Sequence, residues 1–215
     1  MEKSKPRPWK VLRSEYVARE PWFTVRHECV ELPGGAHVPD YYVFEYPAWV
    51  NVIAITRDGL FVMIDQYRHG LGRTDYELAA GVCDPDDASP LEAARRELLE
   101  ETGFGGGRWR ETMRICANPA THDNFTHCFV ATGVERLSPQ HLEATEDLRV
   151  HLMTRDEVRG LLERGGIVQA LMAAPLWRYF AESDNAIGAA RDTDNGADNE
   201  IDSARSDDRG NASAR

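Results

Sequence analysis

The stretch from Gly81 to Phe104 constrains this chain more than any other. Ser89 and Pro90 open a helix. A serine hydroxyl accepts from the free N–H groups of the first turn, and proline fits a position where an N–H has no partner. Gly103 closes it in the left-handed conformation that glycine adopts readily. At about 100° per residue, Leu91, Ala94, Leu98 and Thr102 form one stripe, which predicts the buried side. Glu97, Glu100 and Glu101 cluster on a different face by the i, i+3 and i, i+4 rule.

Crowded carboxylates are unfavourable by themselves. Two like charges about 6 Å apart repel by roughly 2–3 kcal/mol at an effective dielectric near 20. A helix built only for solubility interleaves opposite charges, as Glu92 and Arg96 do. Hard oxygen donors on a rigid element suit Mg²⁺ or Mn²⁺, whose charge turns repulsion into attraction. A solvated acidic face is the plainer alternative for an isolated E-x-x-E-E.

The wider pattern favours the metal. Arg96-Glu97-Leu98-Leu99-Glu100-Glu101-Thr102-Gly103-Phe104 satisfies R-E-φ-x-E-E-x-G-φ at every position. From average residue usage, a chain of this length matches by chance on the order of once in tens of thousands. The stretch resembles the Nudix box, a loop–helix–loop. One irregularity stands out. The family pattern places glycine fourteen positions before the arginine and glutamate eight before it, where this chain has Val82 and Ala88. Gly81 lies fifteen back, so the loop carries one extra residue and Asp87 takes the place of a mainly structural glutamate.

With 215 residues, 42% of them hydrophobic, the chain can bury one good core and a small appendage. A net charge of −11 and the lack of a basic patch with interleaved aromatics argue against nucleic acid as a partner. Free nucleotides stay compatible, because a metal can bridge acidic protein to phosphate. Cys29, Cys83, Cys116 and Cys128 show no C-x-x-C pair or zinc spacing and are expected to be buried free thiols in a reducing cytosol. Residues 1–20 hold no apolar signal-like core, and no apolar run approaches membrane-spanning length. A soluble, cytoplasmic protein without membrane contact is expected.

Three segments follow from the pattern. Residues 1–47 read as a small antiparallel β unit: strands at Trp9–Tyr16, Trp22–Leu32 and His37–Tyr46, with a Pro33-Gly34-Gly35 turn. Such a unit is too small to stand alone and must pack on the next domain or on a second subunit. Residues 48–182 hold a hairpin (Trp49–Thr56 and Leu60–Tyr67 around Asp58-Gly59) and a strand at Asp75–Ala80 before the box. Strands at Trp109–Cys116, Phe125–Thr132 and Leu148–Met153 follow it. A capping box at Thr154–Glu157 opens a helix to about Arg164, and Ile167–Glu182 makes another, kinked at Pro175. Residues 183–215 lose their large apolar side chains and read as a disordered acidic tail. Strands on both sides of a helix, with helices after them, give an α/β (α+β) sandwich with a mixed sheet. That agrees with the α/β/α fold implied by the Nudix resemblance.

The same resemblance implies hydrolysis of a nucleoside diphosphate derivative with divalent metal, Mg²⁺ or Mn²⁺. It assigns Glu97, Glu100 and Glu101 as metal ligands, together with the Ala80 backbone carbonyl. Arg96 is expected to orient a glutamate through a charge-assisted hydrogen bond. The acidic loop Glu143–Asp147 resembles the one that supplies a catalytic glutamate in ADP-sugar members, which points to Glu146; Glu100 is the alternative. Gln66-Tyr67-Arg68 resembles a strand end in ADP-ribose pyrophosphatases, implying that Arg68 approaches the diphosphate; a surface arginine is the alternative. Glu77 either adds to the acidic site or makes a structural hydrogen bond. Pro119, fifteen residues beyond Phe104, lies close to a proline of ADP-ribose-preferring members. Trp22 or Phe23 stacks on a base if the chain forms the swapped homodimer of that group.

The reading is thus an ADP-sugar pyrophosphohydrolase, ADP-ribose first, acting as a homodimer. Other nucleoside diphosphate derivatives (GDP-mannose, a nucleoside triphosphate) and a non-catalytic nucleotide sensor stay open.

Overall fold

The computed structural model describes residues 7–185. Strands β1 (Lys10–Glu20), β2 (Phe23–Glu31) and β3 (His37–Glu45) form an antiparallel sheet in that order. Gly35, with φ of 85°, supplies the left-handed residue of the β2–β3 turn. The sheet is thinly covered. Every β1 residue except Ala18 is exposed, including Val11, Leu12, Tyr16 and Val17. The end of β3 is tied to residues 117–124. The Phe44 N–H donates to the Thr121 carbonyl at 2.7 Å, and the Tyr41 hydroxyl donates to the Ala120 carbonyl.

The second sheet has eight strands. They are β4 (Trp49–Thr56), β5 (Phe61–Arg68), β6 (Arg73–Glu77), β7 (Ala79–Val82), β8 (Phe104–Gly105), β9 (Arg108–Ile115), β10 (Thr126–Arg136) and β11 (Leu148–Met153). Helix α1 (Pro90–Thr102) follows β7, α2 (Arg155–Glu163) follows β11, and residues 170–185 form α3. Strands β4 and β10 run parallel while the other pairs of this sheet are antiparallel, so the sheet is mixed as expected. The single strand expected over Asp75–Ala80 is two strands. Up to Glu77 the chain pairs with β5, and from Ala79 it pairs with the first half of β4. Strand β4 meets β5 only at Ala54 and Ile55, so β7 fills the gap where the hairpin splays apart. Alternation of side chains reveals a strand but not which neighbour takes its hydrogen bonds.

Helix α1 covers one face of this sheet. Ala93, Ala94 and Leu98 join Val50, Val52, Ala54, Val62, Phe129 and Ala131 in one core cluster. Burying a side chain such as Leu98 contributes about 2–3 kcal/mol. The expected stripe holds, with Leu91 only partly buried, and the buried side also takes in Glu97 and Glu101. Both caps form. The Ser89 hydroxyl accepts from the Glu92 N–H, and Gly103 has φ of 75° with its N–H donating to the Leu99 carbonyl at 2.8 Å.

The chain divides into two compact units, Met1–Pro175 and Leu176–Arg215. In the second, residues 176–185 are helical and Arg178 pairs with Glu182. The helix expected from Ile167 begins at residue 170, because Gln169 caps it with its carbonyl, and it continues through Pro175. Residues 183–185 are helical too; the rest of the expected tail lies outside the described residues. The thiols need a correction. All four cysteines are free, but only Cys128 is buried, because the other three sit where strands or loops are open on one side.

Gly103 is the position most sensitive to a single methyl group. A Cβ there would sit 2.2 Å from the Ser138 carbonyl oxygen, on top of the left-handed backbone penalty. Gly103→Ala is expected to lower stability by at least about 2 kcal/mol, read as a lower urea midpoint at unchanged slope.

Candidate active site

Glu97 and Glu101 lie on the side of α1 that faces β7. Both residues are almost shut off from solvent, at 8% and 4% exposure. The Ala80 N–H donates to Glu101 Oε2 at 2.9 Å. Glu97 rests against Gly81, where a Cβ would fall 2.1 Å from Oε1. Gly81 is therefore required here for close approach, with no unusual φ involved. Burial pushes Glu101 up to about 8, helped by the charges of Glu97 and Glu146 and opposed by the Ala80 N–H and Arg68. Glu97 is also raised, first by burial, then by Glu100 and Glu146, against the pull of Arg96. The charge of Glu146 thus acts on both carboxylates.

Arg96 is the hub of the loop. Its Nη1 donates to Glu97 Oε1 at 3.0 Å and to Glu100 Oε2 at 3.1 Å. Its Nη2 donates to the Val82 carbonyl and to Asp87 Oδ2, both at 3.0 Å, while Nε reaches Asp87 Oδ1 at 3.3 Å. Asp87 also accepts from the Asp84 N–H at 2.8 Å. The shortened side chain in the shifted box loop therefore holds the arginine that holds two glutamates. The hydrogen bonds that Arg96 donates to Asp87 lower the Asp87 pKa and raise that of Arg96 further.

Arg68 and Glu77 form a forked pair. Nε donates to Oε1 at 2.8 Å and Nη2 to Oε2 at 2.5 Å, with Glu77 almost fully buried. Of the two readings of Glu77, the structure contains the structural hydrogen bond. A guanidinium has five N–H donors in a rigid fork, and Glu77 takes two. Arg68 lines a cleft of about 310 Å³ together with Ala80, Gly81, Val82, Trp49 and Asn51 of the sheet and Gln169, Leu171 and Met172 beyond it.

Glu146 comes near α1 because the chain after β10 is laced to the helix end. Leu137 and Ser138 N–H groups donate to the Gly103 carbonyl, His141 N–H to Glu100, and Gln140 Nε2 to Glu101. These bonds satisfy carbonyls that a helix C-terminus leaves open. Sequence reasoning missed Gln140 and His141, which no local pattern marks. Asn51 was missed too, although one amide inside the apolar strand Trp49–Thr56 was a legible signal. Pro119 is exposed in the loop held by β3, and it does not line the cleft. Trp22 sits outside β2 rather than starting it. It has φ of 63°, is 73% exposed, and flanks a second groove with Phe23 and Tyr46.

The donor set suits a hard divalent cation. Two carboxylates are held together, one of them buried enough to keep a proton near neutral pH, and a cation can replace that proton. Among the described residues no three acidic, histidine or cysteine side chains already form a finished cage, since Glu97 and Glu100 turn toward Arg96.

A mixed sheet with a carboxylate-bearing helix packed on it, and a cleft at the edge where the two meet, defines a Nudix-type hydrolase. Residues 45–172 match the NUDIX domain, and residues 9–44 match the nucleoside diphosphate sugar hydrolase N-terminal domain. The chain belongs to the Nudix family and is a Nudix pyrophosphohydrolase. It is 29% identical over 167 residues to the ADP-ribose pyrophosphatase of Mycobacterium tuberculosis, covering 77% of this chain and 80% of that one. To the ADP-ribose pyrophosphatase of Bacillus subtilis it is 29% identical over 170 residues, covering 76% and 91%. The ADP compounds hydrolase NudE of Escherichia coli is 34% identical over 151 residues, covering 68% and 76%. A crystal structure of an ADP compounds hydrolase shares the fold, with a TM-score of 0.74 at 24% identity over 86% of this chain and 98% of that one.

Glu101 makes stability depend on pH. Its folded pKa of about 8 lies above the ordinary 4.5, so the folded state binds the extra proton between these values. Its contribution to the stability of the metal-free protein should therefore be full below about 4.5 and be lost as pH rises through about 8, by a few kcal/mol at about 1.4 kcal/mol per unit. Thermal melts in chelator from pH 5 to 9 should show this fall, Glu101→Gln should flatten it, and added Mg²⁺ should offset it.

Proposed function

We propose that the protein hydrolyses the diphosphate bond of an ADP-sugar, ADP-ribose first, to AMP and a sugar phosphate. The observation that carries this reading is the pair of buried carboxylates, Glu97 and Glu101, pressed on the backbone of Gly81 and Ala80 at the wall of a cleft that also holds Arg68. Glu97, Glu100, Glu101 and the Ala80 carbonyl would hold Mg²⁺ or Mn²⁺. Such ions, when bound, neutralise the diphosphate and acidify the attacking water. Arg68, steadied by Glu77, offers its remaining donors to phosphate oxygens. Arg96 fixes where Glu97 and Glu100 stand. Glu146 accepts the proton of the attacking water; its closeness to Glu97 and Glu101 supports that role over Glu100, which is engaged with Arg96. Relatives named ADP-ribose pyrophosphatase support the choice of substrate.

The working form in this reading is a cytoplasmic homodimer joined through the N-terminal sheet. Trp9, Val11, Leu12, Tyr16, Val17 and Tyr42 leave that sheet with more exposed apolar surface than a small unit normally tolerates. Trp22, held exposed in a backbone conformation unfavourable for a bulky residue, is the contact for the adenine base. Nucleic acid and membranes are not partners in this reading. No helix among the described residues is long and apolar enough to cross a membrane.

Incubation with ADP-ribose and Mg²⁺ should release AMP, detected by chromatography, and chelator should stop it. Glu100→Gln and Glu101→Gln should each abolish turnover with the fold intact by circular dichroism; wild-type rates in both would sink the metal assignment. Sedimentation should give twice the 24.2 kDa chain mass. Trp22→Ala should raise KM roughly three- to tenfold, the scale of one aromatic stacking contact.

A further inference from the structure

The cleft behind Ala80 holds polar groups that the chemistry above does not use. Three adjacent strands form its floor in two in-register rows: Ala80, Asn51 and Cys128 in one, Val82, Trp49 and Thr126 in the next. Partners across a sheet share a face, so these side chains lie together. Asn51 Oδ1, Thr126 Oγ1 and Gln169 Oε1 all line or abut this one cleft, and each is buried without a hydrogen-bond partner. Asn51 and Thr126 are 0% and 3% exposed. A buried polar atom left unpaired has lost its water partner with nothing in exchange. Three at a single cleft mark a place where a ligand completes the bonding.

The orientation of Asn51 is fixed by a proline. Pro175 has no N–H, so the Leu171 carbonyl four residues earlier lacks its helical donor. Asn51 Nδ2 donates to that carbonyl at 2.8 Å. This leaves Oδ1 directed away from Leu171 as an acceptor that needs a ligand donor. The Thr126 hydroxyl donates or accepts, and the Gln169 amide offers either kind of atom. A sugar hydroxyl, both donor and acceptor, matches all three. Position agrees. Arg68 and Ala80 line the same cleft, so a sugar carried on a phosphate held at Arg68 lies beside these groups. Trp49 and Met172 supply apolar surface for the sugar ring.

We propose that Asn51, Thr126 and Gln169 form the subsite for the pentosyl group carried on the diphosphate, so the sugar phosphate half of the substrate enters this cleft. This rests on the reaction proposed above, and its test does not need turnover. The full chain, with Mg²⁺ present, is titrated calorimetrically with ribose 5-phosphate and, separately, with inorganic phosphate. Thr126→Val and Gln169→Met keep side-chain size and remove the polar atoms. Each should weaken ribose 5-phosphate about fivefold, the effect of one neutral hydrogen bond, and leave phosphate unchanged. Unchanged ribose 5-phosphate affinity in both variants overturns the subsite. So does equal weakening of both ligands, or wild-type protein that binds ribose 5-phosphate no more tightly than phosphate. If the titrations succeed while ADP-ribose is not hydrolysed, the subsite stands and the reaction is wrong.

Discussion

Carboxylates at the position of Glu97 and Glu101 can be buried only if the backbone opposite leaves room and offers a donor. Gly81 leaves the room and the Ala80 N–H is the donor. Everything else in the site is arranged around that contact between α1 and β7. The splayed β4–β5 hairpin makes a gap, β7 fills it, and its residues then meet the helix on one side and the cleft on the other. A methyl group at Gly81 would displace a flexible carboxylate tip rather than break the core, so its cost falls on the site.

Arg96 illustrates how a cluster of like charges is kept in place. Alone, three glutamates on one helix would splay into solvent. One guanidinium binds two of them and is bound in turn by Asp87 and the Val82 carbonyl, which joins helix and loop into one unit. The extra residue in this loop changes its path. Asp87, one methylene shorter than glutamate, still reaches the arginine with both oxygens. Glutamates fixed this way are preorganised, and a cation would take the place of the proton that burial keeps on Glu101.

Local chemistry was legible in the sequence and long-range pairing was not. Ser89, Pro90 and Gly103 bounded α1 within a residue, because caps are local. The capping box at Thr154 and Glu157 formed for the same reason. That Glu97, Glu100 and Glu101 share one face was legible from spacing, since i, i+3 and i, i+4 positions are neighbours on any helix, whereas Arg96 was marked by the Nudix pattern. The break at Leu78 could not be read, because which strand pairs with which is decided by the whole sheet. Placement of Glu146 depended on Gln140 and His141 meeting carbonyls at the end of α1, a contact between segments some forty residues apart. The thiols were misjudged because apolar neighbours in sequence do not guarantee cover on both faces of a strand.

Pro175 joins these themes. Read along the chain, a proline inside a helical pattern signals a kink. In the fold, the carbonyl it frees is taken by Asn51, a residue more than a hundred positions earlier and on another element. The amide that repairs the helix is thereby fixed in orientation beside the cleft. A break in local helical bonding has become a tertiary link, and that link sets one wall of the cleft against its floor. The same strand, β4, carries Val50 and Val52 into the α1 core and Asn51 to the opposite face. One strand thus supports the carboxylate-bearing helix with its apolar residues and shapes the neighbouring cleft with its single amide.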